Sequence, residues 1–245
     1  SKISKKLHVV QEYNAKNNNN LFINKKNTNL KKKYFEKVSA SQNKFFKKKN
    51  TKSLNKNTKI LSLKSGNLNK ISLKTLSDFL RSDIYILFGC SYVKGKLLNF
   101  LIKKKAISLH MGLSPYYIGS DCNFWALYDN NPHLVGATAH YISKKKDSGP
   151  ILYHSMSKYK ANVFDYSMST SKSCMHSLAD KIKDRSIFNL KASIQKRKDQ
   201  IRHTKKVDFN DKVIKDFLER EINLKNVDFN PNLLINPNFF ITDET

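Results

Sequence analysis

The sequence predicts an α/β protein built on an open, mostly parallel Rossmann-like sheet with a helical C-terminal extension, and three observations lead there. Ile84 to Phe88 is a continuous apolar run between Asp83 and Gly89, the pattern of a parallel strand buried on both faces and central in its sheet. Leu97, Leu98 and Leu101 then mark a short helix, and Ala106 to Leu109 a second short strand. Strand, helix and strand with short connections make a right-handed crossover. Finally, 245 residues suffice for one large core.

The other elements follow along the chain. Leu7 to Gln11 reads as a strand, and the polar tract from Asn14 to Asn20 as a loop. Tyr34, Val38, Phe45 and Phe46 are spaced among lysines as on an amphipathic helix over residues 30–49. Ile60 to Leu63 is a second strand. After the turn at Ser65-Gly66-Asn67, the helical period of Leu73, Leu76, Phe79 and Leu80 is clear. The loop from His110 to Gly119 contains Gly112 and Pro115, and Ser120 or Asp121 can cap a helix carrying Phe124, Trp125 and Leu127. Phe124 and Trp125 are expected in its core face. Val135 to Ile142 is a strand. A lysine-rich turn at 144–146 and Asp147-Ser148-Gly149-Pro150 lead into an extended Ile151 to Ser155. Met175, Leu178, Ala179 and Ile182 define a helix, with a weaker one at Val213, Phe217 and Leu218. Three regions result: an α/β domain over 1–160, a helical extension over 161–225 packed on the same domain, and a surface tail over 226–245 with repeated Asn-Pro steps. The chain opens on Ser1 rather than methionine, which leaves room for an opening element ahead of it.

With 46 basic and 19 acidic residues the formal charge is +27, which alone would suggest a polyanion partner. The arginines argue otherwise, being only Arg81, Arg185, Arg197, Arg202 and Arg220, since phosphate recognition favours arginine's bidentate fork. Lysine, asparagine, isoleucine and phenylalanine share A/T-rich codons, so a biased genome accounts for the charge. A nucleic-acid partner is therefore not expected. Cys90, Cys122 and Cys174 are odd in number and far apart, which fits neither a disulfide framework nor a zinc pair and points to a reducing cytoplasm. No apolar run approaches the ~20 residues of a membrane helix. No His, Cys or carboxylate pair has metal-ligand spacing, so no metal is expected, and no Gly-rich phosphate loop is present.

Function is concentrated between Ile107 and Ile151, in ISLHMGLSPYYIGS, NFWAL, GATAHY and DSGPI. Period-two alternation puts Ser108 and His110 on one face of a strand at its C-terminal end, where ligands bind in open α/β sheets. The order and spacing of these pieces resemble the folate-dependent formyltransferases, closest in flavour to the amino-sugar formyltransferases. There a strand ends in Asn-x-His, a Pro-containing loop and a basic-Gly pair follow, and Asp-x-Gly-Pro comes more than thirty residues later. The matching stretch covers roughly a fifth of the chain, with looser similarity in Phe88-Gly89-Cys90-Ser91 and in the preceding GNLN segment.

The resemblance implies a formyltransferase-type sheet and transfer of a formyl group from 10-formyltetrahydrofolate to a small amine, such as an amino-sugar nucleotide. It implies catalytic roles for His110 and Asp147, with Ser108 at the family's asparagine, and a folate slot beside Phe88, Gly89 and Cys90. Ile118 replaces the basic residue before Gly119, and Lys146 an apolar residue before Asp147. The imidazole could polarise the formyl carbonyl or handle the proton of the attacking amine, with the carboxylate orienting it and stabilising its charged form. His140 reads as a packed core histidine, and His133, His154, His176 and His203 as surface or capping residues. Two alternatives stay open: a formyltetrahydrofolate deformylase, which GATAHY resembles, and a binding protein on this scaffold that Ser108 has deprived of activity.

Overall fold

The computed structural model describes residues 4–13, 28–46, 57–222, 224 and 227–240. The polar tract at 14–20 and residues 47–49 of the first expected helix lie outside them. A parallel ribbon of β1 (Leu7–Tyr13) and β2 (Thr58–Lys64) is joined through α1 (Asn29–Phe45), whose first turn is capped by the Thr28 hydroxyl accepting from Lys31 N–H. The main sheet contains β3 (Ile86–Phe88), β4 (Ile107–His110), β6 (Ala137–Tyr141), β7 (Ile151–Ser157) and β9 (Asn238–Phe240), in the order β3-β4-β6-β7-β9. Between them come α2 (Gly95–Lys103), β5 (Tyr117–Gly119), α3 (Cys122–Tyr128), α4 (Val163–Lys183), β8 (Arg202–Thr204) and α5 (Asp211–Glu219). β5 pairs in parallel with β8. Of the six pairings among the described residues, four are parallel, and the antiparallel ones set β6 between β4 and β7.

The crossover from β3 through α2 to a parallel β4 is as expected, but β3 is not central. It lies at the edge of the described sheet, with Ile86 48% and Phe88 47% exposed. An uninterrupted apolar run does not reveal whether a strand has neighbours on both sides, and among the described residues only β4 pairs with it. Residues 73–80 form successive turns rather than a helix. Leu76 N–H and Leu80 N–H reach back four residues to Ser72 and Leu76, whereas Ser77 and Arg81 reach back three. The Ser72 hydroxyl takes the Thr75 N–H in the manner of an N-terminal cap, but beyond that first turn the backbone bonds alternate between three and four residues. Residues 226–245 are not merely a surface tail, because β9 continues the sheet by pairing in parallel with β7.

The aromatic core gathers Tyr34 of α1, Phe124 and Trp125 of α3, Tyr166 of α4, Phe209, and Phe217 of α5. Phe124 sits at its centre, with ring centroids 4.6 Å from Phe217 and 4.9 Å from Phe209. α4 begins well before the apolar period that announced it, because its sheet-facing side is made of small hydroxyl residues. Ser169, Thr170, Ser173, Cys174 and Ser177 are buried, and Ser155–Ser173 and Ser157–Ser169 hydroxyl pairs at 2.9 and 2.7 Å join it to β7. Asn162 caps the helix by accepting from Phe164 and Asp165 N–H. No helix among the described residues is long and apolar enough to cross a membrane.

Candidate active site

β4 ends on His110, so the sheet delivers Ser108 and His110 to its rim. The antiparallel register with β6 sets Ser108 opposite His140 and His110 opposite Thr138. Opposed residues share a face, which makes His140 a neighbour of Ser108. Behind His110 the chain turns through Gly112, where a Cβ would stand 2.4 Å from the Cys122 Cβ and 2.9 Å from His110 Nε2. Cys122 itself is a packing residue: burial pushes its thiol far up, Asp147 and Asp121 adding to the effect.

His110 is 9% exposed. Its Nε2 lies 3.3 Å from the Tyr117 carbonyl oxygen and its Nδ1 3.9 Å from Asp147 Oδ1, an ion-pair separation longer than a hydrogen bond. Burial holds the imidazolium below its ordinary range, against the pull of Asp147 and the Tyr117 carbonyl, and Lys146 depresses it further. Asp147 occupies a left-handed backbone position, φ 51°, in the turn before β7. The Gln195 side-chain amide fastens that turn by donating to the Asp147 and Gly149 carbonyls at 2.9 and 2.7 Å. Asp147 Oδ2 is buried without a hydrogen-bond partner, with Lys146 Nζ 3.8 Å away.

These groups open into a cleft of about 590 Å³. The Phe88-Gly89-Cys90 wall, the strand residues Ser108, His110 and His140, and the wall of Lys145, Lys146 and Asp147 line it, together with Asp121 and Lys206. All six residues singled out in the sequence therefore meet in one place. Glu12, at the end of β1, braces the first wall: Ser91 N–H donates to one carboxylate oxygen at 2.7 Å, and Gly66 N–H to the other at 2.9 Å. Burial raises the Glu12 pKa, but these hydrogen bonds outweigh it and hold the carboxyl below its usual range. Tyr92 ties the two walls together by donating to the Lys144 carbonyl at 2.9 Å.

Sequence reasoning missed Glu12, Asp121 and Lys206, and it misread two histidines. An acidic residue ending an apolar strand was the one available signal for Glu12. His140 is buried as expected but faces the cleft. His154, expected at the surface, is wholly buried, where its Nε2 meets the Ser114 carbonyl at 2.8 Å and its Nδ1 accepts from Ile235 N–H at 3.1 Å. Asp121 does occupy the cap position of α3, but in a left-handed conformation and without a side-chain capping bond.

No protein-family model matches the chain, and no curated protein matches it. Among solved structures, the formyltransferase PseJ from Anoxybacillus kamchatkensis aligns with a TM-score of 0.52 at 15% identity, covering 94% of this chain and 98% of that one. This chain has the formyltransferase fold. The PseJ structure contains UDP-4,6-dideoxy-4-formamido-L-AltNAc and tetrahydrofolate. A 4-N formyltransferase from Francisella tularensis aligns at 17% identity over 84% of this chain and 78% of its own, TM-score 0.47. A phosphoribosylglycinamide formyltransferase from Anaplasma phagocytophilum aligns at 16% identity over 73% and 86%, TM-score 0.46.

Proposed function

We propose that the protein transfers a formyl group from 10-formyltetrahydrofolate to a primary amine carried by a small molecule, with an amino-sugar nucleotide as the acceptor class. The observation that carries this reading is the meeting of Ser108, His110 and Asp147 in one cleft, His110 3.9 Å from Asp147, at the strand ends of a formyltransferase fold. The cleft fits the donor in size, since small-molecule sites span ~300–1,000 Å³. It fits in chemistry too, with the half-exposed Phe88 ring on one side and two unpartnered buried polar atoms, His140 Nε2 and Asp147 Oδ2, on the other. When bound, the donor supplies an electrophilic formyl carbon on a departing nitrogen.

The protein's part is to stabilise charge and move a proton. The Ser108 hydroxyl donates to the formyl oxygen as negative charge grows on it. His110, with one ring nitrogen toward the Tyr117 carbonyl and the other toward Asp147, stands beside that oxygen, and these two groups oppose the burial that disfavours its charged form. Asp147 orients the ring and stabilises the charged form. Phe88, Gly89 and Cys90 border the folate. In this reading residues 1–160 hold the reacting groups, and the 161–225 extension braces them through Gln195.

The test is incubation with 10-formyltetrahydrofolate, with and without candidate amines, following tetrahydrofolate release. Amine-dependent release is expected. Release without amine would make the protein a deformylase. Folate binding without release would favour the binding-protein alternative, which Ser108 supports, and absence of binding to a stable folate analogue by calorimetry would remove the folate reading.

A further inference from the structure

We infer that His140 is a further catalytic residue, whose Nε2 takes the proton given up by the attacking amine. The inference rests on the formyl-transfer reading above and assigns its proton-transfer step. His140 is 2% exposed and lines the cleft opposite Ser108 in the β4–β6 register. Its Nδ1 stands 2.8 Å from the Tyr141 carbonyl oxygen. A carbonyl can only accept, so Nδ1 carries the ring proton and Nε2 keeps its lone pair. That Nε2 is buried and has no hydrogen-bond partner.

A histidine kept for packing has its nitrogens satisfied, as His154 does between the Ser114 carbonyl and Ile235 N–H. Both ring nitrogens of His110 are likewise turned toward protein oxygens. Of these three, only His140 has a ring nitrogen that is both buried and without a partner, whereas His110 Nδ1 keeps Asp147 at 3.9 Å. Gly149 protects this arrangement, since a Cβ there would stand 1.7 Å from the Tyr141 oxygen that holds Nδ1 and 3.3 Å from Nδ1 itself.

The step balances. The amine nitrogen bonds to the formyl carbon, the bond from that carbon to the donor nitrogen breaks, and the amine's proton passes to Nε2 and then to the departing nitrogen. The products are the formamide and tetrahydrofolate, and His140 ends neutral as it began. The charged and titratable groups facing it are His110 on β4 and Asp147 in the turn, with Lys146 beside Asp147. Burial depresses its protonated form, His110 adds to that and Asp147 opposes it, so the base is neutral at pH 7.

Two measurements test the inference. Nitrogen-15 NMR of the imidazoles in the ligand-free protein at pH 7 is expected to show His140 protonated on Nδ1 and bare on Nε2, and a proton on Nε2 would overturn the assignment. Formyl-transfer rates across pH are then compared for wild type and His140→Gln, which keeps a polar atom near Nε2 but cannot titrate. The variant is expected to lose about 100-fold in kcat, to keep the donor KM within about threefold, and to lose the fall in rate below the ordinary histidine range. An active wild type whose His140→Gln variant keeps its rate or its acid limb refutes this inference alone. A wild type that transfers to no amine refutes the formyl-transfer reading and this inference together. Where His140→Gln fails to fold, the wild-type tautomer decides.

Discussion

Acidification should unfold this protein through His154. The ring is wholly buried on β7, donating from Nε2 to Ser114 and accepting at Nδ1 from Ile235, so it folds in its neutral form and a second proton would have no acceptor. Burial lowers its pKa from 6.5 to about 4, against the pull of the Ser114 carbonyl. The folded-state value is depressed, so the unfolded chain binds the extra proton first as pH falls. The stability is intact above pH 6.5 and drains away down to about pH 4. At 1.36 kcal/mol per pH unit for one proton, the loss reaches about 3 kcal/mol at the bottom of that window, a large share of an ordinary domain's stability. His110 and His140 are depressed in the same direction and steepen the fall. Urea unfolding followed by circular dichroism, at steps between pH 7 and pH 4.5, would compare wild type with His154→Gln. The variant should lose about 1–3 kcal/mol at pH 7 for the unsatisfied Ile235 N–H. Its stability should then fall less steeply by about 1.4 kcal/mol per pH unit, because the other two histidines act equally in both proteins. Equal slopes would refute the assignment of the acid-sensitive proton to His154.

Three more predictions concern the site and its support. In a formyl-transfer assay, His110→Ala and Asp147→Asn should each reduce turnover by about 10²-fold or more, while Ser108→Asn, which introduces an amide donor, should raise it by about tenfold; a rate indifferent to His110→Ala would end that mechanism. Gly149→Ala should disturb the turn that carries Asp147, because its Cβ would collide with the Tyr141 carbonyl oxygen, visible as altered His140 and His110 imidazole signals by NMR. Phe124→Ala should cost about 3–5 kcal/mol in urea unfolding, since its ring meets those of Tyr34, Trp125, Tyr128, Phe209 and Phe217.

The elements from α2 to β7 were legible because short apolar segments with distinct periods alternate there, and the same stretch carries the residues that meet in the cleft. The misreadings share a cause: what a segment's neighbours do is not written in the segment. Ile84 to Phe88 has the composition of a central strand, yet among the described residues only β4 pairs with it. His140 and Ser108 are thirty-two positions apart and became neighbours only through the β4–β6 register. Glu12 works through backbone N–H groups of two distant loops, which no side-chain pattern records. The first turns of α4 were hidden because hydroxyls face β7 there, and hydropathy alone does not distinguish a buried serine from an exposed one.

That hydroxyl seam has a direction. Ser173 donates to the Met156 carbonyl, so it can take a proton only from Ser155, and Ser169 donates to the Tyr166 carbonyl, so it takes one from Ser157. Each pair behaves as a short wire with a fixed polarity, and cutting one end strands the other in a dry interface. Exchanging both ends for alanine removes both hydroxyls at once and takes a donor only from the Met156 or Tyr166 carbonyl, so it costs less than cutting one end. Drift during evolution should therefore change positions 155 and 173 together, and 157 and 169 together, leaving a correlated signature between helix and sheet in a region with little hydrophobic character of its own.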